Sequence, residues 1–276
     1  MDKSNVAVVI LNYMSWKDTL NEAIIVHDLF GFQWSQIIIV DNCSPNESKK
    51  ELSKKDIGDY VFIASDKNKG YAAGNNIGLR YANKKGFKYA WILNNDIVIC
   101  DQSVLDKMLG IMQRDSSIGV INPDILDPNG KVYNRDSKRK NLFDFTLGLY
   151  SYKNKGRCVK DLGGYGYVYR PQGCCMMVDL SKMVKIKFMD EKTFLYCEEF
   201  ILAERLLKHK WKCACATDVS VIHNHSKTVK SAFDKWSIIK IQLKSFNYYL
   251  KRYRKYNFVS RAVCSLFFAA KAYLTN

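Results

Sequence analysis

The sequence predicts an α/β layered fold on a largely parallel sheet, and two observations carry that prediction. Short runs of β-branched and apolar residues alternate four times with segments of helical period, the pattern of strands joined by crossover helices. Three of those runs stop in Asn or Asp, at Asn12, Asp41 and Asp96. In an open α/β sheet such strand ends lie along one edge, where ligands bind.

Taken in order, Val6–Leu11 is a continuous apolar run that reads as a buried parallel strand, ended by Asn12-Tyr13. Leu20, Ala23, Ile24 and Leu29 follow at helical spacing. Ile37–Val40 is the second strand, closed by Asp41-Asn42-Cys43-Ser44-Pro45, and Asn46–Lys55 reads as a polar helix. Tyr60–Ala64 is the third strand. Asn68-Lys-Gly70-Tyr-Ala-Ala73-Gly74 then opens an amphipathic helix to about Lys84. Tyr89–Leu93 delivers Asn94-Asn95-Asp96, Ser103–Gln113 is helical, and Gly119–Ile121 is a fifth strand. From Asp124 to Arg170 the pattern is irregular and reads as loops and short strands over the site. Gln172–Val178 is again a buried strand, and Phe194–Glu199 opens a helix with Leu202, Leu206 and Leu207. Val219–Ile222 is a last strand, ending in His223-Asn-His225.

Composition sets the bounds. At 276 residues, 47% hydrophobic and 13% aromatic, the chain can bury a sizeable core. Its net charge is +16, and residues from Lys227 onward contribute +10 of it, with Asp234 the single acid there. In that tail Ile239, Leu243, Phe246 and Leu250 recur at helical spacing beside Lys240, Lys244 and Lys251, and a second apolar series follows Lys251-Arg-Tyr-Arg-Lys255. Two basic amphipathic helices of this kind suit an anionic membrane surface; packing on the body or a homodimer contact are the other uses of such helices. The body carries no nucleic-acid module, which argues against a nucleic-acid partner. Nine cysteines and no signal peptide point to free thiols in a reducing cytosol. No apolar run reaches spanning length.

Four groups carry chemistry. Asp96, a carboxylate at a strand end with the amides Asn94 and Asn95 beside it, suits a divalent metal held against phosphate; the same tripeptide also suits a plain turn. The Asn68–Gly74 stretch resembles a phosphate-cradling loop but lacks the spacing of a P-loop or a dinucleotide fingerprint. Glu198-Glu199 is a carboxylate pair at a helix start, where acids favour the dipole. Adjacent helical residues point about 100° apart, so at most one of the two is expected to face a substrate, where it can act as a general base. His223 and His225, with Cys213 and Cys215, have spacings that argue against structural zinc; one His beside Asp96 on a catalytic metal is the alternative.

In this order and spacing the motifs Val8–Tyr13, Val40–Ser44, Asn68–Gly78, Leu93–Asp96, Phe194–Glu199 and Val221–His223 resemble a family 2 inverting glycosyltransferase of the GT-A fold, in its bacterial rhamnosyltransferase-like branch. The resemblance covers about residues 5 to 226. It implies a GT-A domain over 1–226 and a basic helical extension over 227–276. It implies that Asn12, Asp41 and Asn42 line a base and ribose pocket, and that Gly70, Ala73 and Gly74 let a nucleotide sugar approach. Asp96 would be the last position of an Asp-x-Asp metal motif for Mn or Mg, completed by His223, and Glu199 the base. Two departures stand out: Asn94 replaces a common Asp, and Glu199 a common Asp. The implied reaction moves a sugar, rhamnose from dTDP-rhamnose, with inversion onto a lipid-linked oligosaccharide of a capsule or other surface polysaccharide, at the inner face of a bacterial membrane. A UDP-sugar donor (galactofuranose, galactose or glucose) and an inactive sugar-nucleotide-binding relative are the alternatives.

Overall fold

The computed structural model describes residues 2–148, 159–224 and 234–275, with side chains to 272. Seven elements build its first half: β1 (Val6–Asn12), α1 (Trp16–Phe30), β2 (Ile37–Asp41), α2 (Ser48–Ser53), β3 (Val61–Ala64), α3 (Tyr71–Lys84) and β4 (Tyr89–Leu93). β1 pairs in parallel with β2 and β4, and β2 with β3, so the order is β3-β2-β1-β4. The continuous apolar strands follow from burial on both faces. Val6, Val8 and Ile10 pack with Ala23, Val26 and Phe30 of α1, whereas Ala7 and Val9 pack with Ala72, Leu79 and Ala82 of α3.

The second half comprises β5 (Ile97–Val98), α4 (Val104–Arg114), β6 (Ile118–Leu126), β7 (Tyr165–Val168), β8 (Cys175–Asp179), α5 (Leu180–Lys185), α6 (Glu198–Lys208) and β9 (Lys212–His223). Here the sheet mixes directions. β8 runs antiparallel between β4 and β6, β6 and β9 are parallel, and β5 and β7 pair antiparallel with β9. The fold class expected from the alternation holds, with flanking helices on a nine-stranded sheet. Two strands are longer than periodicity indicated. β6 runs on through Asn122-Pro123-Asp124 to Leu126, and β9 begins at Lys212, where Cys, Ala and Thr pack without the strong apolar alternation that marks a strand. β7 lies inside the stretch read as irregular.

Cys213 and Cys215 sit in β9 as buried thiols, Cys215 donating to Asp124 (3.3 Å). No cluster of three or more metal-capable side chains exists among the described residues, and His225, with the expected boundary at 226, lies outside them.

α7 (Lys235–Arg252) and α8 (Phe258–Thr275) form the expected C-terminal helices. Phe246, Tyr249 and Leu250 of α7 pack with Phe145 and with Ile201 of α6. Tyr248 and Tyr253 donate hydrogen bonds to Asp190. Among the described residues no helix is long and apolar enough to cross a membrane.

Candidate active site

Asn12 and Asp41 end adjacent strands and stand opposite one another in the parallel register. Both are fully buried, so their polar atoms need internal partners. The Asn12 amide donates to Asp41 (2.7 Å) and accepts from Thr19 (2.8 Å). Ser44 donates to the same carboxylate from its hydroxyl (2.6 Å) and its backbone N–H (3.1 Å). Three donors thus fix Asp41 at the sheet edge. Next to it, Asn42 donates to Asn68 (3.0 Å) and to the Gly70 carbonyl (3.3 Å), while its own buried carbonyl oxygen has no partner among the described residues. Asn42 and Ala73 line a cavity of about 360 Å³ with Lys67, Lys69 and Arg80. Asp66 and Glu191 border it too, Glu191 paired with Arg80 (2.7 Å), and the unpartnered amide oxygen suits an N–H or O–H of a polar ligand.

The glycines of this loop answer to the fold itself. Gly70 has φ +95°, and a Cβ there would lie 1.8 Å from the Phe194 carbonyl oxygen. At Gly74 a Cβ would lie 2.6 Å from Leu11 and 3.3 Å from Asn42. Both let α3 seat against β1 and against the segment that leads into α6.

β4 ends in Asn94-Asn95-Asp96, and each residue goes a different way. Asn94 donates its backbone N–H to Cys174 (2.8 Å) and borders a second cavity. Asn95 turns to α1, donating to Ser15 Oγ and Thr19 Oγ1 (2.8 Å each). Because Thr19 also holds Asn12, the ends of β1 and β4 are tied together. Asp96 meets His223, Oδ2 to Nε2, at 3.3 Å. The antiparallel pair Ile97↔His223 and the Asn224 N–H to Asp96 carbonyl bond (3.0 Å) bring these distant residues together. Tyr133 holds the other ring nitrogen of His223 at 2.8 Å, a partner that fixes the ring's orientation. Glu22 of α1 lies buried close by. Burial first, then the Asp96 charge, pushes its carboxyl up to about 8.

α6 enters through two left-handed non-glycine residues, Tyr196 (φ +72°) and Cys197 (φ +68°), a conformation that costs about 1–3 kcal/mol per residue. The turn presents the first residues of α6 to a cavity of about 390 Å³ lined by Asn94, His223, Glu198, Glu199, Tyr71 and Arg170. Glu198 is 5% exposed. Burial and then the neighbouring Glu199 carboxylate push it upward, so it keeps its proton near neutral pH. Glu199 is half-buried and accepts from the Gly173 N–H (3.3 Å). Gln242 of α7 and Phe268 of α8 also border this cavity.

Residues 7–167 match the profile of Glycosyl transferase family 2. The chain belongs to that family. The low-salt glycan biosynthesis hexosyltransferase Agl10 of Haloferax volcanii is 26% identical over 225 residues, which are 80% of this chain and 67% of that protein. The mannosyltransferase PcManGT of Pyrobaculum calidifontis, in complex with GDP-Man and Mn2+, is 12% identical with a TM-score of 0.60, over 97% of this chain and 73% of that one. GalNAc-T7 with UDP, GalNAc and Mn2+ is 14% identical with a TM-score of 0.58, over 79% of this chain and 43% of that one. This chain therefore spans less than half of that structure's length, and the two likenesses establish the GT-A fold.

Of the residues singled out in this family 2 sequence, the fold gathers Asn94, Glu198, Glu199 and His223 around one cavity, and sets Asp96 against His223. Asn42 and Ala73 border the other cavity. Asn12 and Asn95 are engaged in bracing the strand ends. Sequence reasoning missed Tyr133, Arg170 and Glu22. Arg170 stacks on Phe200 (4.8 Å) and donates to Gln172 (3.0 Å), and its buried Nε has no partner among the described residues. Its position directly before Pro171 was the one available signal. The carboxylate of Asp96 and the imidazole of His223 are a donor pair that would suit a divalent ion such as Mg or Mn.

Proposed function

We propose that the chain is an inverting, metal-dependent hexosyltransferase that takes a nucleotide-diphosphate sugar and glycosylates a lipid-linked acceptor at an anionic membrane surface. The observation that carries this reading is the carboxylate pair at the head of α6. Both carboxyls border the cavity with Asn94 and His223, and burial, then the Glu199 carboxylate, pushes Glu198 upward. Two carboxyls in one site, one of them more deeply buried, divide acid and base roles between them.

Glu199 accepts the proton of the acceptor hydroxyl. The hydroxyl oxygen then attacks the anomeric carbon opposite the leaving nucleotide diphosphate, and the configuration inverts. Asp41 and Asn42, braced by Asn12, hold the base and ribose; Ala73, on the helix that Gly70 and Gly74 seat, leaves room for the nucleotide sugar; Asn94, beside the bracing Asn95, borders the diphosphate. Asp96 and His223 would hold the divalent ion, which when bound supplies charge stabilisation for the departing diphosphate. Gln242 and Phe268 put the C-terminal helices at the cavity's border, which suits an acceptor presented from a membrane. The resemblance to the rhamnosyltransferase-like branch is what supports dTDP-rhamnose as donor and a bacterial surface polysaccharide as destination, and the motifs themselves barely separate the donor sugars. A UDP-sugar is the second reading, favoured by the structural likeness to GalNAc-T7, solved with UDP.

Thermal melting with dTDP-rhamnose, UDP-sugars and GDP-mannose, each with and without Mn, tests the proposal, since a ligand of the folded state raises the melting temperature by mass action. A selective, Mn-enhanced rise with dTDP-rhamnose supports the rhamnosyl reading. A rise confined to UDP forms keeps the reaction and moves the donor. No rise with any of them rejects donor binding.

A further inference from the structure

A cavity of about 940 Å³ lies apart from the active site, with no lining residue in common with the cavity around Glu199. Three helices end at it: α5 with Lys187 just beyond its last turn, α6 with Arg205 and Lys208, and α7 with Arg252 and Lys255. Cations at helix C-termini complement the local dipole, and a single such end needs no ligand. Here the three ends converge on one concavity, so the charges face each other as well as water.

The cavity's one acid does not neutralise them. Glu204 is engaged by Arg139 through two hydrogen bonds (2.8 and 2.7 Å) and approached by Arg254 at 3.7 Å. Lys187, Lys208, Arg252 and Lys255 are exposed and have no carboxylate within ion-pair distance among the described residues. At the floor Arg205 reaches the Tyr253 hydroxyl (3.3 Å), the Ile186 carbonyl and, at 3.9 Å, the Asp190 carboxylate, while its buried Nε has no hydrogen-bond partner among the described residues. Concave, cationic and unsatisfied, the site fits clustered phosphate oxygens.

What presents those phosphates is indicated by α8, which starts three residues after Lys255. Its outward residues are Phe258, Val259, Ala262, Val263, Leu266 and Ala270, with Phe258 76% and Leu266 70% exposed. They form one uncharged stripe along a helix about 27 Å long, whose opposite side carries the buried Cys264 and the half-buried Phe268 packed against the body. A stripe of this kind seeks cover. A second copy of the chain would bring another +16 against it. An anionic bilayer covers the apolar stripe with acyl chains and meets the adjoining cations with phosphate.

We infer that the cleft between the ends of α5, α6 and α7 is a headgroup site, which takes the phosphate of an anionic lipid while the outward face of α8 lies in the bilayer interface. This deepens the membrane-surface reading proposed above and rests on it.

Co-sedimentation of the full chain with phosphatidylcholine vesicles, with or without phosphatidylglycerol, tests the inference in three proteins. These are the wild type, the cleft variant K187E/K208E/K255E, and a control of equal charge change elsewhere, K50E/K84E/K107E. With about a fivefold effect per basic residue near an anionic surface, the cleft variant should partition roughly 100-fold more weakly and the control much less, with the three melting temperatures alike. Equal loss in cleft variant and control overturns the inference, because net charge alone then drives binding. Wild-type binding undiminished in the cleft variant overturns it while leaving the membrane reading intact. Wild type that ignores anionic vesicles, or that dimerises in their place, overturns both. Tripolyphosphate that stabilises only proteins with an intact cleft, without competing for vesicles, marks the cleft as a soluble-anion site and overturns the lipid assignment.

Discussion

At the head of α6, two adjacent carboxyls border one cavity, but Glu198 is buried to 5% exposure and Glu199 is half-buried. Their difference comes from helix geometry, which turns adjacent side chains about 100° apart and sends one inward. The pair was legible in sequence as two acids at a helix start; which of them was buried was not, because adjacency carries no information on what lies behind each face. If Glu199 is the base, Glu199→Gln removes the proton acceptor and keeps the shape. Turnover should then fall by about 10²–10⁴-fold while the nucleotide-induced melting shift stays within error. Steady-state kinetics beside thermal melting read both, and undiminished turnover rejects the assignment. Arg170 and Tyr133 illustrate residues that no motif announces. Both come from the irregular stretch, Tyr133 reaching the site by its bond to His223 and Arg170 by lining the cavity beside Phe200.

Among the elements, the loop from Asn68 into α3 shows how one pattern serves fold and site together. Gly70 was legible as a glycine that something must approach closely. The approaching group in this structure is the Phe194 carbonyl, which also accepts the Tyr71 N–H (3.0 Å). A Gly70→Ala chain must move that backbone and adopt a positive φ, so it should lose at least about 2 kcal/mol in urea unfolding, whether or not nucleotide is present. Loss of nucleotide affinity at unchanged stability would instead make the glycine a ligand contact alone. β9 is the counter-example. Its first half was not read as strand, since Cys-Ala-Cys-Ala lacks an apolar alternation, yet it pairs with β6 and β7 and carries His223 to Asp96. Pairing across the sheet, a non-local term, decided it.

For the molecule as a whole, the junction between α7 and the body is set by Asp190. Burial alone would raise this carboxyl, but hydrogen bonds from Tyr253 and Tyr248, with Arg205 nearby, outweigh it and hold the group below its ordinary range. A carboxyl depressed in the folded state contributes stability above its unfolded value near 3.8, and that contribution fades as pH falls through the lower folded value. Asp190→Asn should therefore cost about 1–3 kcal/mol at pH 7 and flatten the loss of stability below pH 4, as melting curves across pH would record. An unchanged acid limb would show that the helices are held by the apolar cluster around Phe246 and Tyr249 alone. By itself the sequence determined the α/β class, the strand ends at Asn12, Asp41 and Asp96, and the presence of two C-terminal helices, because local periodicity and turn chemistry report burial and breaks along the chain. Only the tertiary structure decided that His223 stands against Asp96, that Glu198 is buried beside a cavity-facing Glu199, and that three cationic helix ends converge, because each depends on sheet register and helix docking between segments far apart in the chain.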